Sequence, residues 1–171
     1  VFGPDLQERT LEQSGNCTPA GHVTGGDLSL CETNHNGGVL TGFLVNGHRL
    51  PVDAMHVPGH WLWAAASPDG KTILADWTGE CEVPQTFMID VARGKPRPLT
   101  GSGSEAYGWT TDGRAIVGRR ADPGCSDGSA PGLYLVTSQG EATLVGKAVP
   151  RTLQRTIAAR DMSQIIAGAA P

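Results

Sequence analysis

The sequence predicts an all-β fold of repeated four-stranded units, a β-propeller, and three observations carry that prediction. The first is the turn Ser67-Pro68-Asp69-Gly70-Lys71, set between two strand-like runs, Trp61–Ala66 and Thr72–Trp77. The second is a weaker copy, Thr110-Thr111-Asp112-Gly113-Arg114, followed by Ala115-Ile116-Val117. Asp69 and Asp112 thus recur at the roughly 40–45-residue period of a propeller blade. The third is composition: 24 glycines and 12 prolines in 171 residues suit short strands between turns, because both residue types weaken helices.

The rest of the chain falls into register with that period. Residues 1–15 read as the outer half of a unit. Val1-Phe2-Gly3 ends a strand and Arg9–Glu12 begins another, in the order repeated at Tyr134–Leu144. Residues 16–53 form the first full unit, with strands at Pro19–Thr24, Leu28–Glu32, Val39–Val45 and His48–Val52. Asp27 stands where the period projects Gly70, and Asn46-Gly47 is a strong hairpin signal. Residues 54–100 form the second, adding Thr86–Val91 and Lys95–Leu99. Pro96 and Pro98 make that last segment an edge strand, because proline cannot donate to a ladder. Residues 101–146 form the third, at Glu105–Thr110, Ala115–Arg119, Leu133–Thr137 and Ala142–Leu144. Residues 147–171 are read as an inner half unit with strands Thr152–Ala158 and Gln164–Gly168. Leu153, Ile157 and Ile165 also fit helical spacing, so a helix is the alternative there.

A four-stranded sheet cannot bury both faces alone, so such units need neighbours. The two half units sum to one. Either they pair and close a four-bladed ring, or the chain is part of a larger ring completed by further sequence or a second copy. The sequence opens on Val1 rather than Met, which predicts a removed leader or a trimmed end.

The totals narrow the function classes. The formal net charge is −4 and no basic stripe appears, which argues against nucleic acid as a partner. No run of some 18 apolar residues is present, so no membrane-spanning helix is expected. Cys17, Cys31, Cys81 and Cys125 contain no C-x-x-C pair, which disfavours a zinc site. Four cysteines in turn-rich sequence point instead to two disulfides and an oxidising, secreted or periplasmic, compartment. Three connectivities are open. Cys81 and Cys125 lie one period apart, in the same loop of adjacent units, and this favours the bridges Cys81–Cys125 and Cys17–Cys31.

The Ser67–Lys71 turn, with Trp and Ala before it and a β-branched strand after it, resembles the WD-like propeller repeat of TolB-type periplasmic proteins. It also resembles the propeller repeats of dipeptidyl-peptidase and tricorn-type proteases. The match is strong at Ser67–Leu74, fair at Thr110–Val117 and poor at Gly25–Leu30 and Arg160–Ile166. The resemblance implies that this turn joins the two inner strands of each blade and is structural, not catalytic.

Such a fold gathers chemistry-bearing loops on one face: His35, Asn36, His56, His60, Trp77, Glu80, Glu82, Arg119, Arg120, Asp122 and Asp127. Trp77 reads as an exposed indole anchor for a partner, or alternatively as a cap on the interface between units. His56 and His60 have helical metal-site spacing, but Pro58 and Gly59 forbid the helix and no third ligand lies nearby. The pairs Glu80/Glu82 and Asp122/Asp127 sit beside glycines and read as solvated loops, not an acid–base couple. No Gly-x-Ser-x-Gly elbow occurs, and Gly101-Ser102-Gly103-Ser104 reads as a linker. The expectation is a non-catalytic binding module for a protein, peptide or cell-wall partner, with no metal and no cofactor. The alternatives are a substrate-gating propeller of a peptidase whose catalytic domain lies elsewhere, or a metal-dependent lyase or lactonase propeller.

Overall fold

In the computed structural model twelve strands form three four-stranded antiparallel sheets, and no helix occurs among the described residues. These are residues 15–35, 38–55, 58–79, 83–99, 103–119, 130–151 and 153–161. Each sheet is a meander whose spatial order follows the sequence. The first contains β1 (Asn16–Val23), β2 (Gly26–His35), β3 (Gly38–Val45) and β4 (His48–Arg49). The second contains β5 (His60–Ala66), β6 (Thr72–Thr78), β7 (Gln85–Asp90) and β8 (Lys95–Pro98). The third contains β9 (Ser104–Trp109), β10 (Ala115–Arg119), β11 (Gly132–Val136) and β12 (Ala142–Gly146).

The turns form for local reasons. At the β5–β6 turn the Ser67 hydroxyl donates to Asp69 Oδ1 at 2.6 Å and accepts from the Thr72 amide at 3.0 Å, while Asp69 Oδ1 also accepts from the Lys71 amide. These bonds hold the Asp69 carboxyl below its ordinary value, the Ser67 hydroxyl being the largest cause. Thr110 takes the part of Ser67 in the β9–β10 turn, donating to Asp112 and accepting from the Arg114 amide. Arg114 grips the other Asp112 oxygen at 2.6 Å, and with Thr110 holds that carboxyl down at about 2. At Asn46-Gly47 both φ angles are positive, as a two-residue hairpin of this kind demands. The Asn46 side chain then clips the neighbouring turn, accepting from the Asp27 amide and donating to the Gly25 carbonyl.

Period-two alternation distributes the core. On β6, Ile73 and Ala75 face one way and Leu74 the other. The first set joins Val23, Leu28, Phe43, Trp61 and Phe87 between the first and second sheets. The second joins Met88, Ala106, Trp109, Val117 and Val136 between the second and third. A further cluster, Tyr107, Ile116, Leu133 and Leu135, lies on the far face of the third sheet against Val149 and Leu153. The central sheet is therefore buried on both faces, which is why β6 is nearly continuous in apolar residues. The proline-bearing β8 is an edge strand, as the sequence predicts.

Two expectations are adjusted. β4 is only two residues long, because Pro51 cannot donate and the chain leaves the ladder before it. Residues 153–161 form neither helix nor hairpin strand. They run beside β9 with one parallel bridge, Thr110 to Arg160, and hydrogen bonds from the Arg160 amide to the Trp109 carbonyl and from the Thr111 amide to the Arg160 carbonyl. That segment presses so closely that a Cβ at Gly108 would meet the Thr156 carbonyl at 2.5 Å. The first strand of every sheet also breaks register once, near Ala20, Leu62 and Tyr107, and in β5 this bulge leaves Leu62 45% exposed.

Cys17 and Cys31 face each other across β1 and β2 and are joined by a disulfide. Closing that loop, with its sequence separation of 14, contributes about 3 kcal/mol in the chain-entropy description. The double variant Cys17→Ala, Cys31→Ala is expected to lose about that much in urea denaturation, with a somewhat larger m-value because the unfolded chain without the cross-link is less compact. Cys81, Cys125, the half unit at 1–14 and Gln164–Gly168 lie outside the described residues.

Candidate functional site

The residues expected to share a face divide into two groups. His60 opens β5, Trp77 lies near the end of β6, and Arg119 ends β10, so the topology brings these three to the same end of the sheets. His35 ends β2 at that end as well. Asn36, His56, Glu80, Glu82, Arg120, Asp122 and Asp127 lie outside the described residues. Arg119 sets its guanidinium carbon 6.0 Å from the Tyr134 ring centroid.

Trp77 is not the exposed indole of the first reading. It is half-buried, with its ring 4.9 Å from Trp61 in an edge-on contact, and Trp61 in turn packs against Phe43 and Phe87. A Cβ at position 59 would meet Trp77 Nε1 at 2.7 Å, so Gly59 lies flat against the indole. The indole N–H is consequently buried without a hydrogen-bond partner among the described residues. This geometry matches the alternative, a cap over the interface between sheets. The signal was present in the alternation Ile73, Ala75, Trp77, which puts all three on one face of β6.

A constellation that sequence reasoning missed lies one residue earlier. Asp76 is completely buried between the second and third sheets. Its Oδ1 accepts from the Thr86 hydroxyl on β7 at 2.8 Å, and both oxygens accept from the Ala106 amide on β9 at 3.1 Å. Arg155, from the segment beside β9, places Nη2 2.8 Å from Asp76 Oδ2 and 3.5 Å from Glu105 Oε1. Tyr107 donates its hydroxyl to the other Glu105 oxygen at 2.8 Å, and the Arg155 guanidinium lies 5.5 Å from the Trp63 ring centroid. Burial pushes the Asp76 carboxyl up to about 6. The Arg155 charge, the Thr86 hydroxyl and the Ala106 amide pull it down, and the Glu105 charge adds to the rise.

The arrangement ties three elements to one carboxylate. It does not offer that carboxylate to a substrate: Asp76 has no exposed surface, and both its oxygens are engaged. A perturbed carboxyl is a common mark of a catalytic site, yet here the rise comes from burial between two sheets and the groups that clasp the carboxylate oppose it. Of the cluster around Asp76, Trp63 also lines a small cleft between β1 and β5, together with Asn16, Thr18, Leu30, Glu32 and Leu62. Among the described residues no group of three or more His, Cys, Asp or Glu side chains is placed to hold a metal ion. Comparison with known proteins adds no relative: no family model matches the chain, and no curated protein matches it.

Proposed function

We propose that this chain is an extracytoplasmic, propeller-type binding module of the TolB-like kind, which engages a protein, peptide or cell-wall partner and performs no catalysis of its own. The observation that carries this reading is the succession of three four-stranded meanders, each covering one apolar face of the next, with His60 and Arg119 at strand ends on one side. The Cys17–Cys31 bridge supports an oxidising compartment. Rigid sheets that present loops and bulged strands are built for recognition, and the exposed Leu62 beside Trp63 offers an apolar contact at the same end as His60 and Arg119.

The test uses a random-peptide display library panned against the full-length oxidised chain, followed by amide-shift mapping with the enriched peptide. Shifts are expected at His60, Leu62 and Arg119, and Leu62→Ser is expected to weaken the peptide about tenfold, as loss of an interface anchor does. An enriched peptide that shifts only the opposite end, at Ser67–Gly70 and Thr110–Gly113, overturns the assignment of the face. Failure to enrich any peptide overturns peptide recognition.

A further inference from the structure

We propose that Asp76 and Arg155 form an acid-released latch, in which protonation of Asp76 frees the 153–161 segment from β9. The geometry separates the latch from the sheets it closes on. Asp76, Thr86 and Ala106 belong to ladders of the second and third sheets, whose pairing does not involve Arg155. Among the described residues the 153–161 segment belongs to no sheet; it is held by the Arg155 contacts to Asp76, Glu105 and Trp63, by Leu153 against the third sheet's outer cluster, and by backbone hydrogen bonds at Tyr107, Trp109 and Thr111. The shorter of the two charge contacts of Arg155 is made on a carboxylate with no exposed surface. Removing that negative charge removes the main reason for Arg155 to leave water.

The groups facing Asp76 from each neighbouring element decide whether acid can act on it. β7 contributes the Thr86 hydroxyl, which is neutral. β9 contributes the Ala106 amide and the Glu105 carboxylate, and Glu105 is already held by the Tyr107 hydroxyl. β5 contributes only the Trp63 ring, against Arg155. The segment itself contributes Arg155, the cation that holds the Asp76 proton off. A carboxyl already poised at about 6 takes its proton within the mildly acidic range. Glu105 does not replace Asp76 in holding Arg155: it is 3.5 Å away and a quarter exposed, where water screens the attraction.

Docking of Arg155 lowers the Asp76 pKa, so by linkage protonation of Asp76 weakens docking, about tenfold for each unit by which the undocked carboxyl lies above the docked one. Docking is therefore complete above both values and is lost as pH falls through about 6. Release uncovers the backbone carbonyls of Tyr107 and Trp109 and the amide of Thr111.

The experiment is amide hydrogen exchange on the full-length chain between pH 7.5 and 5.0, corrected for the intrinsic exchange rate at each pH. Protection of the Arg160 and Thr111 amides is expected to fall about tenfold on acidification, while Leu74 and Val117, inside the sheets, keep theirs. Arg155→Gln is expected to show low protection at Arg160 and Thr111 at both pH values. Asp76→Asn is expected to do the same. If Asp76→Asn does not fold, the partly exposed Arg155 site still decides the matter. Unchanged protection in the wild type, or a wild-type pH response in Arg155→Gln, overturns the latch. These readouts are independent of any peptide partner.

Discussion

Asp76→Ala is expected to destabilise the protein by about 3 kcal/mol at neutral pH, lowering the melting temperature by roughly 10 °C. The loss has three sources. The Ala106 amide, buried between sheets, loses its acceptor, and an unsatisfied buried donor costs about 1–3 kcal/mol. The Thr86 hydroxyl loses its partner in an equally dry place. Arg155 keeps only the longer contact to Glu105. Circular dichroism melts of wild type, Asp76→Ala and Asp76→Asn separate these effects: the amide of Asn still offers one oxygen to Ala106, so that variant loses markedly less. Equal losses in the two variants would locate the effect in Arg155 alone.

The same comparison carries a pH signature. The Asp76 carboxyl rises from its ordinary value of 3.8 in the unfolded chain to about 6 in the folded one. Between those values the folded protein binds a proton that the unfolded chain does not. The contribution of this group to global stability is therefore full below about pH 4 and is lost as pH rises through about 6. The gap between wild type and Asp76→Ala should widen by on the order of 2 kcal/mol from pH 7.5 to pH 4.5. Undocking of 153–161 responds with the opposite sign because its reference is different. The carboxyl left behind by Arg155 remains buried between sheets, instead of dissolving into water, and binds its proton more tightly still.

Trp109→Ala is expected to cost about 3–5 kcal/mol, the range for deleting a fully buried aromatic side chain. Trp109 is 2% exposed, fills the layer between the second and third sheets, and donates its indole N–H to the Ala65 carbonyl of β5 at 3.0 Å. Truncation leaves both a cavity and an unpaired carbonyl. Trp109→Phe keeps most of the volume and forfeits only the hydrogen bond, so urea midpoints should order as wild type, Phe, then Ala. A loss for Ala no larger than that for Phe would show that the interface collapses to fill the space.

Much of this architecture was written in short-range signals. Strand alternation, the Asp-Gly turns, Asn46-Gly47 and the two prolines of β8 each act within a few residues, and the three sheets follow them. Signals that depend on distant partners were not readable. Asp76 sits in an apolar run, where a lone carboxylate announces a buried partner without identifying it. The partner, Arg155, belongs to a segment whose spacing fits strand and helix alike, and it is neither in the described chain. Trp77 stood between two readings, an exposed anchor suggested by its place near a strand end and an interface cap, and its parity with Ile73 and Ala75 turns it inward as the cap requires.

Every ladder among the described residues joins strands adjacent along the chain. Closing such short loops costs little entropy, so each meander can condense soon after its own residues leave the ribosome, and a pairing error stays confined to one unit. Arg155 reaches further along the sequence, since it follows β12 and contacts Asp76 on β6. That contact can form only after synthesis has passed β12, so it closes behind the three sheets that precede it in the chain.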